Sequence, residues 1–238
     1  MNLTVHVHVF AGAGLHELLR DAGTVRAHAA TIVDLSRRHR LRYWLLNGLI
    51  LEGWVLAQEG AGEEGVALMR HSASERAGLG VGWYQVRYLC LLAETHLRLR
   101  QTEAGLQVVA EAKELVARNE DRMWEAELAR IEGELLRQGG QSGAAEACFE
   151  CALATARRQK AKSLELRAAT SLARAWSERG KPSEARDLLA SVHDWFAEGF
   201  GIPDLEEAEV LLGALTLTPP GLRARPRRRS AAPVNNSG

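Results

Sequence analysis

The 238-residue chain is 46% apolar and 25% charged, enough to bury a sizeable core and too apolar for a disordered or fibrous protein. Aromatics at 5% and only 6 prolines, set among abundant Ala and Leu, favour helix over sheet. Lys plus Arg and Asp plus Glu both number 30, but five Arg and no acid fall in the last twenty residues, so the remaining body carries a formal −5 and is ill suited to a nucleic-acid groove.

In chain order, MNLTVHVHVF (1–10) alternates as a β-strand does and stands apart from the helical segments after it. It has no basic region of the kind that opens a signal peptide. No apolar run approaches the roughly 20 residues of a membrane span. Three cysteines, at 90, 148 and 151, suit a reducing cytosol better than a disulfide framework, so the expected location is cytoplasmic, away from membranes.

From residue 11 a repeat governs the chain. The segments WLLNGLILEGWVLAQEG (44–60), YQVRYLCLLAETHLRLR (84–100), WEAELARIEGELLRQGG (124–140) and LELRAATSLARAWSERG (164–180) align at a period of 40 without insertion. Each carries a small residue at one site (Gly53, Ala93, Gly133, Ala173) and a second twelve residues later (Gly65, Gly105, Ala145, Ala185). Two antiparallel helices that cross closely need such residues at the contact. Between the sites lies a turn (Gly60, Arg100, Gly140, Gly180), and four residues beyond the second site comes a larger apolar anchor (Met69, Val109, Phe149, Leu189). GLHELLRDAGTVRAHAATIVDLSRRH keeps the same phase as an earlier unit, and IPDLEEAEVLLGAL reads as a capping helix.

The expected fold is an all-α solenoid of antiparallel helix pairs over residues 11–214, with units at about 11–40, 41–80, 81–120, 121–160 and 161–200 and a cap at 203–214. Residues 215–238, with RARPRRR, read as a disordered basic tail and as the one segment whose charge suits nucleic acid.

The spacing of small and apolar positions resembles a tetratricopeptide repeat with lengthened helices. WEAELARIEGELL, SLELRAATSLARAWSERGKPSEARDLLA, DWFAEGF and DLEEAEVLL further resemble the C-terminal repeat region of bacterial signalling proteins in which a cyclase domain or another regulatory domain precedes a signal-transduction ATPase domain. The resemblance implies a ligand-sensing or partner-binding arm without the cyclase and ATPase domains of that family.

Signals for chemistry are weak beside this. RQGGQSGAAEA lacks the Lys of a phosphate loop and comes after a helix. Cys148 and Cys151 share a helix face, which leaves open a redox or metal role, but flank the inward Phe149 and lack further zinc ligands nearby. His6 and His8 form an H-x-H in the strand-like segment, and Glu206 with Glu207 reads as a solvated helix start. No catalytic, cofactor or metal site is expected. What remains is the concave face, lined by the first helix of each pair. Its outward polar positions run in one row through Asn47, Arg87, Glu127 and Arg167 and in another through Trp54, Glu94, Glu134 and Arg174, with Arg130 between. Such rows would grip a protein partner, a peptide or a small effector, or pair with one another as surface ions.

Overall fold

The computed structural model describes residues 2–80, 84–119, 122–197 and 201–217. Of the tail expected at 215–238, residues 215–217 instead extend the capping helix, and 218–238 lie outside the described residues. Five helix pairs and a cap succeed one another. The opening segment runs as α1 (Asn2–Val7), a π-helical stretch (His8–Ala13) and α2 (Gly14–Leu18), and pairs with α3 (Ala22–Arg38). Then come α4 (Arg42–Gln58) with α5 (Gly62–Gly78), α6 (Gln85–Arg98) with α7 (Thr102–Asn119), α8 (Glu125–Gln138) with α9 (Ser142–Gln159), α10 (Lys162–Glu178) with α11 (Pro182–His193), and the cap α12 (Pro203–Leu217). The first helices of neighbouring pairs also touch, α4 with α6, α6 with α8 and α8 with α10, and so form the inner wall.

Helix length is set by a turn that recurs at twenty-residue intervals. Arg20, Arg40, Gly60, Gly80, Arg100, Gly140, Lys160 and Gly180 all adopt positive φ. The amide beyond such a turn reaches back to close the helix, as in Leu41 N to Ser36 O at 2.9 Å, Ala61 N to Leu56 O at 3.0 Å and Gln141 N to Leu136 O at 2.9 Å. This is the Schellman closure, which satisfies the last carbonyls of one helix while reversing the chain into the next. Four of these positions carry Arg or Lys at the conformation that glycine adopts most cheaply.

The small sites do what their spacing predicts. A Cβ added to Gly53 would lie 2.8 Å from the Gly65 carbonyl oxygen and 2.8 Å from Met69 Cγ, and one added to Gly65 would strike the Gly53 carbonyl. Backbone meets backbone there, so nothing can rotate away. At Gly105 the obstruction is the end of the Leu135 side chain, which can move. Ala93, Ala145, Ala173 and Ala185 are fully buried at the matching positions, as are the anchors Met69, Val109, Phe149 and Leu189.

The strand-like reading of residues 1–10 is overturned, because the described part of this segment is helical. In a strand Val5, Val7 and Val9 would share a face. Here Val5 and Val9, four apart, are buried against α3, while Val7 is 51% exposed. A two-residue alternation contains a four-residue one, and packing on the first full pair selects the helix. His6 and His8 therefore leave the strand too: His8 Nδ1 lies 2.8 Å from His28 Nδ1, and no group of three potential ligands gathers among the described residues.

The crossings and the turns can each be tested by substitution. Gly65→Ala should cost about 1–3 kcal/mol through forced separation of α4 and α5, whereas Gly105→Ala should cost less than half as much, its side-chain clash relaxing and its helix propensity improving; urea unfolding of the two variants measures the difference. Arg40→Gly, at an exposed left-handed position, should raise stability by about 0.5–1 kcal/mol, read as a higher melting temperature in circular dichroism.

Candidate functional site

The expected binding rows converge inside a channel that the chain closes on itself. The end of α2 and the start of α12, more than 180 residues apart in sequence, are tied across it. Arg20 pairs with Asp204 at 2.9 Å and with Glu207 at 3.1 Å, and Arg167 donates to the Leu18 carbonyl at 2.9 Å and to Asp204 at 2.6 Å. The inner face is thus the wall of a charged recess bridged by side chains from the two ends of the described chain.

At its centre stands Glu127 on α8. Arg130 grips it with Nε at 2.9 Å and Nη2 at 2.8 Å, and Arg167 adds Nη1 at 3.1 Å from α10. Arg130 also reaches Glu94 at 3.1 Å, which links α6 to α8. Glu134 accepts from Arg137 at 3.0 Å and from the Ser171 hydroxyl at 2.8 Å, with Arg174 at 4.0 Å; Arg174 turns mainly to Glu207 at 2.7 Å. Burial pushes the Glu127 carboxyl upward, but Arg130 and Arg167 outweigh it and hold the group well below the usual carboxylate range. Their own guanidinium groups are held protonated in return.

Glu127 and Arg87 are each only 1% exposed, so the rows are not a solvated surface. Asn47 leaves the channel altogether. Its amide oxygen accepts from Arg76 Nε at 3.2 Å and from the Tyr88 hydroxyl at 2.6 Å, in a polar knot between α4, α5 and α6. Arg87 ion-pairs with Glu17 from α2 and stacks over Trp124, its guanidinium carbon 4.4 Å from the ring centre. Burial lowers its pKa, and its Nε and Nη1 have no hydrogen-bond partner among the described residues. Arg87, Trp54, Glu94 and Arg167, together with Arg20, Arg98, Glu17 and Glu207, line a cavity of about 340 Å³.

Glu17, Arg20, Asp204 and Glu207 complete the site, and none was expected in it. Glu207, read from the sequence as a solvated helix-start charge, is held below the usual carboxylate range because Arg174 and Arg20 together overcome the opposing effect of burial. Arg20 sits at a left-handed turn residue, a position that marks a helix end and says nothing about what the side chain reaches. His96, a packing residue by its register, is buried and meets Gln101 Oε1 at 2.7 Å. Cys148 and Cys151 lie outside the channel on α9, half-buried and exposed respectively. Burial, seconded by Glu132, pushes the Cys148 thiol up to about 11.

Glu127→Gln should cost about 3–5 kcal/mol, because Arg130 and Arg167 keep their buried charge and lose its counter-ion; Arg20→Ala, at an exposed pair, should cost under about 1 kcal/mol. The sign of the pH effect comes from the depressed Glu127 pKa. Its stabilisation is complete above the unfolded value near 4.5 and fades as pH falls through the lower folded value, so the variant should lose stability less steeply with acid than the parent. Melting temperatures from pH 7 down to pH 3 give both numbers.

No known protein family matches the sequence, and no curated protein does. Solved structures match the fold. BtubC (BKLC) from P. vanneervenii superposes with a TM-score of 0.63 at 16% identity, over 91% of this chain and 99% of its own. A kinesin light chain-like protein of Podosopora anserina with nearly identical TPR-like repeats gives a TM-score of 0.52 at 14% identity, over 87% and 98%. A point variant of the same repeat protein gives 0.54 at 16%, over 76% and 94%. The chain therefore has the architecture of a TPR-like helical-repeat solenoid.

Proposed function

We propose that the chain is a non-catalytic scaffold that binds an anionic group of a partner, an acidic side chain or a small organic acid, inside its inner channel. One observation carries this reading: the cavity of about 340 Å³ sets four arginines against three glutamates, and one of the four, the buried Arg87, has two donor nitrogens without a hydrogen-bond partner among the described residues. An arginine offers a fork of donors that fits a carboxylate or phosphate. Trp54 and Leu97 in the same wall provide an apolar seat for the rest of the molecule. The resemblance of residues 124–214 to the repeat arms of cyclase- and ATPase-linked signalling proteins supports a regulatory setting, in which occupancy of the channel alters how the first and last helices are held together. No helix among the described residues is long and apolar enough to cross a membrane.

Arg98 sits at the cavity wall with Gln58 as its hydrogen-bond partner and takes no part in the Glu127 network, which makes it the cleanest probe. Calorimetric titration with mono- and dicarboxylates, phosphate and acidic peptides should find a binder that Arg98→Glu weakens at least tenfold while leaving the circular dichroism spectrum unchanged. A binder held equally by parent and variant would move the site elsewhere.

A further inference from the structure

On the outer side of the solenoid the 121–160 unit carries less apolar side-chain volume than the unit before it. In the 40-residue register Cys148 stands where three other pairs carry Leu68, Val108 and Leu188 and the first carries His28, Ala129 where two carry Leu49 and Leu89 and one Ala169, and Glu132 where two carry Leu92 and Leu172 and one Glu52. Leu89, Leu92 and Val108 are buried to within 1% in their own unit. With smaller or polar residues at the matching places, a pocket of about 500 Å³ opens between α7, α8 and α9. It lies where one apolar cluster, ending at Leu135, gives way to the next, beginning at Ala145.

Three features define what the pocket accepts. Val116, Leu128, Ala129 and Ala147 supply an aliphatic floor. The charges around it balance, Lys113 and Arg122 against Glu125 and Glu132, and Lys113 Nζ is already bonded to Glu132 at 2.6 Å. Both Cys148 and Cys151 line it as free thiols. Three residues apart on one helix, they stand on a common face with Cβ atoms about 5–6 Å from each other. Two thiols beside an uncharged hydrocarbon seat match an apolar molecule that carries a soft centre able to take two sulfurs at once.

We propose that this pocket binds trivalent organoarsenicals, the organic group lying on the aliphatic floor and the arsenic bridging the sulfurs of Cys148 and Cys151. In the hydrated form the reagent is an organoarsonous acid with two As–OH groups. Two As–O bonds break and two As–S bonds form, each thiol proton leaves with a hydroxyl as water, and arsenic stays trivalent throughout. No oxidant and no thiolate is required, which accords with a Cys148 thiol that stays protonated at neutral pH. Cys90, wholly buried in α6, serves as an internal control that does not take part.

Phenylarsine oxide tests the proposal on the full chain. The expected result is a one-to-one adduct by intact mass, loss of the two accessible thiols of the folded chain to a thiol-titrating disulfide, and release by a dithiol but not by a monothiol. Cys151→Ser should abolish the monothiol-resistant adduct. Ala129→Leu keeps both thiols and introduces the residue that Leu49 and Leu89 provide in the two preceding units, so it should weaken phenylarsine oxide at least tenfold and leave inorganic arsenite unchanged; Ala147→Leu, at an exposed position, repeats the comparison without touching the core. A stoichiometry of two reagents per chain, an adduct of equal strength in Cys151→Ser, or phenylarsine oxide binding indifferent to both leucine variants overturns the site.

Discussion

A left-handed residue at twenty-residue intervals is the constraint on which the architecture depends. Among the described residues it follows α2 to α6 and α8 to α10, closes their last carbonyls and reverses the chain, so that neighbouring pairs stack in register. That interval is what aligns position with position at a period of 40. Without it, Gly53 would not meet Gly65 and Phe149 would not lie against Gly133. Half of these turn positions use Arg or Lys, whose left-handed conformation costs on the order of 1 kcal/mol each relative to glycine, so the register is held by the sum of the crossings and not by the turns alone.

The same register that packs the core also sums charge on the inner wall. Arg87, Glu127 and Arg167 occupy one repeat position on three successive first helices, and Glu94, Glu134 and Arg174 another, so ions of opposite sign meet across helices at 40-residue intervals. A largely buried set of this kind stabilises little in net, because desolvation offsets most of the attraction. Its effect is directional: an ion pair forms in one alignment, whereas apolar faces tolerate sliding. The pairs that tie α2 to α12 are the more exposed ones, with Arg20 near half exposure, and so the closure is held less tightly than the Glu127 centre behind it.

The repeat is legible from sequence because its cause is local and steric. Gly53, Gly65, Gly133 and Ala145 each mark a helix crossing with no room for a larger side chain, and that prohibition shows residue by residue. The site is legible only in part. Asn47, Trp54 and Arg87 stand on first helices, as the register expects, yet what surrounds them depends on the chain's returning to its own start. Glu17, Arg20, Asp204 and Glu207 belong to the network mainly through contacts between elements far apart in the chain, the Arg20–Asp204 pair spanning 184 residues, and no local pattern encodes them. The N-terminal helix escapes a sequence reading for a related reason, since Val5, Val7 and Val9 fit both periods until α3 is there to bury one set.

Departure from the repeat carries as much information as adherence to it. A repeat protein solves the same packing problem in every unit, so a unit that uses less volume than its neighbours at the same position has given up dispersion contacts that its own register shows to be attainable. Relative to Val108, Leu89 and Leu92 in the unit before, Cys148, Ala129 and Glu132 do this together and on one patch. Arg87, Glu127 and Arg167 do the converse on the inner wall, placing charge where other positions of the same helices place Leu and Ala. Each arrangement has a packing or desolvation cost, and each borders a space lined by groups with chemistry of their own: guanidinium donors within the channel, thiols outside it. In a scaffold whose regular positions are committed to packing, these two places are where a second molecule has something to hold.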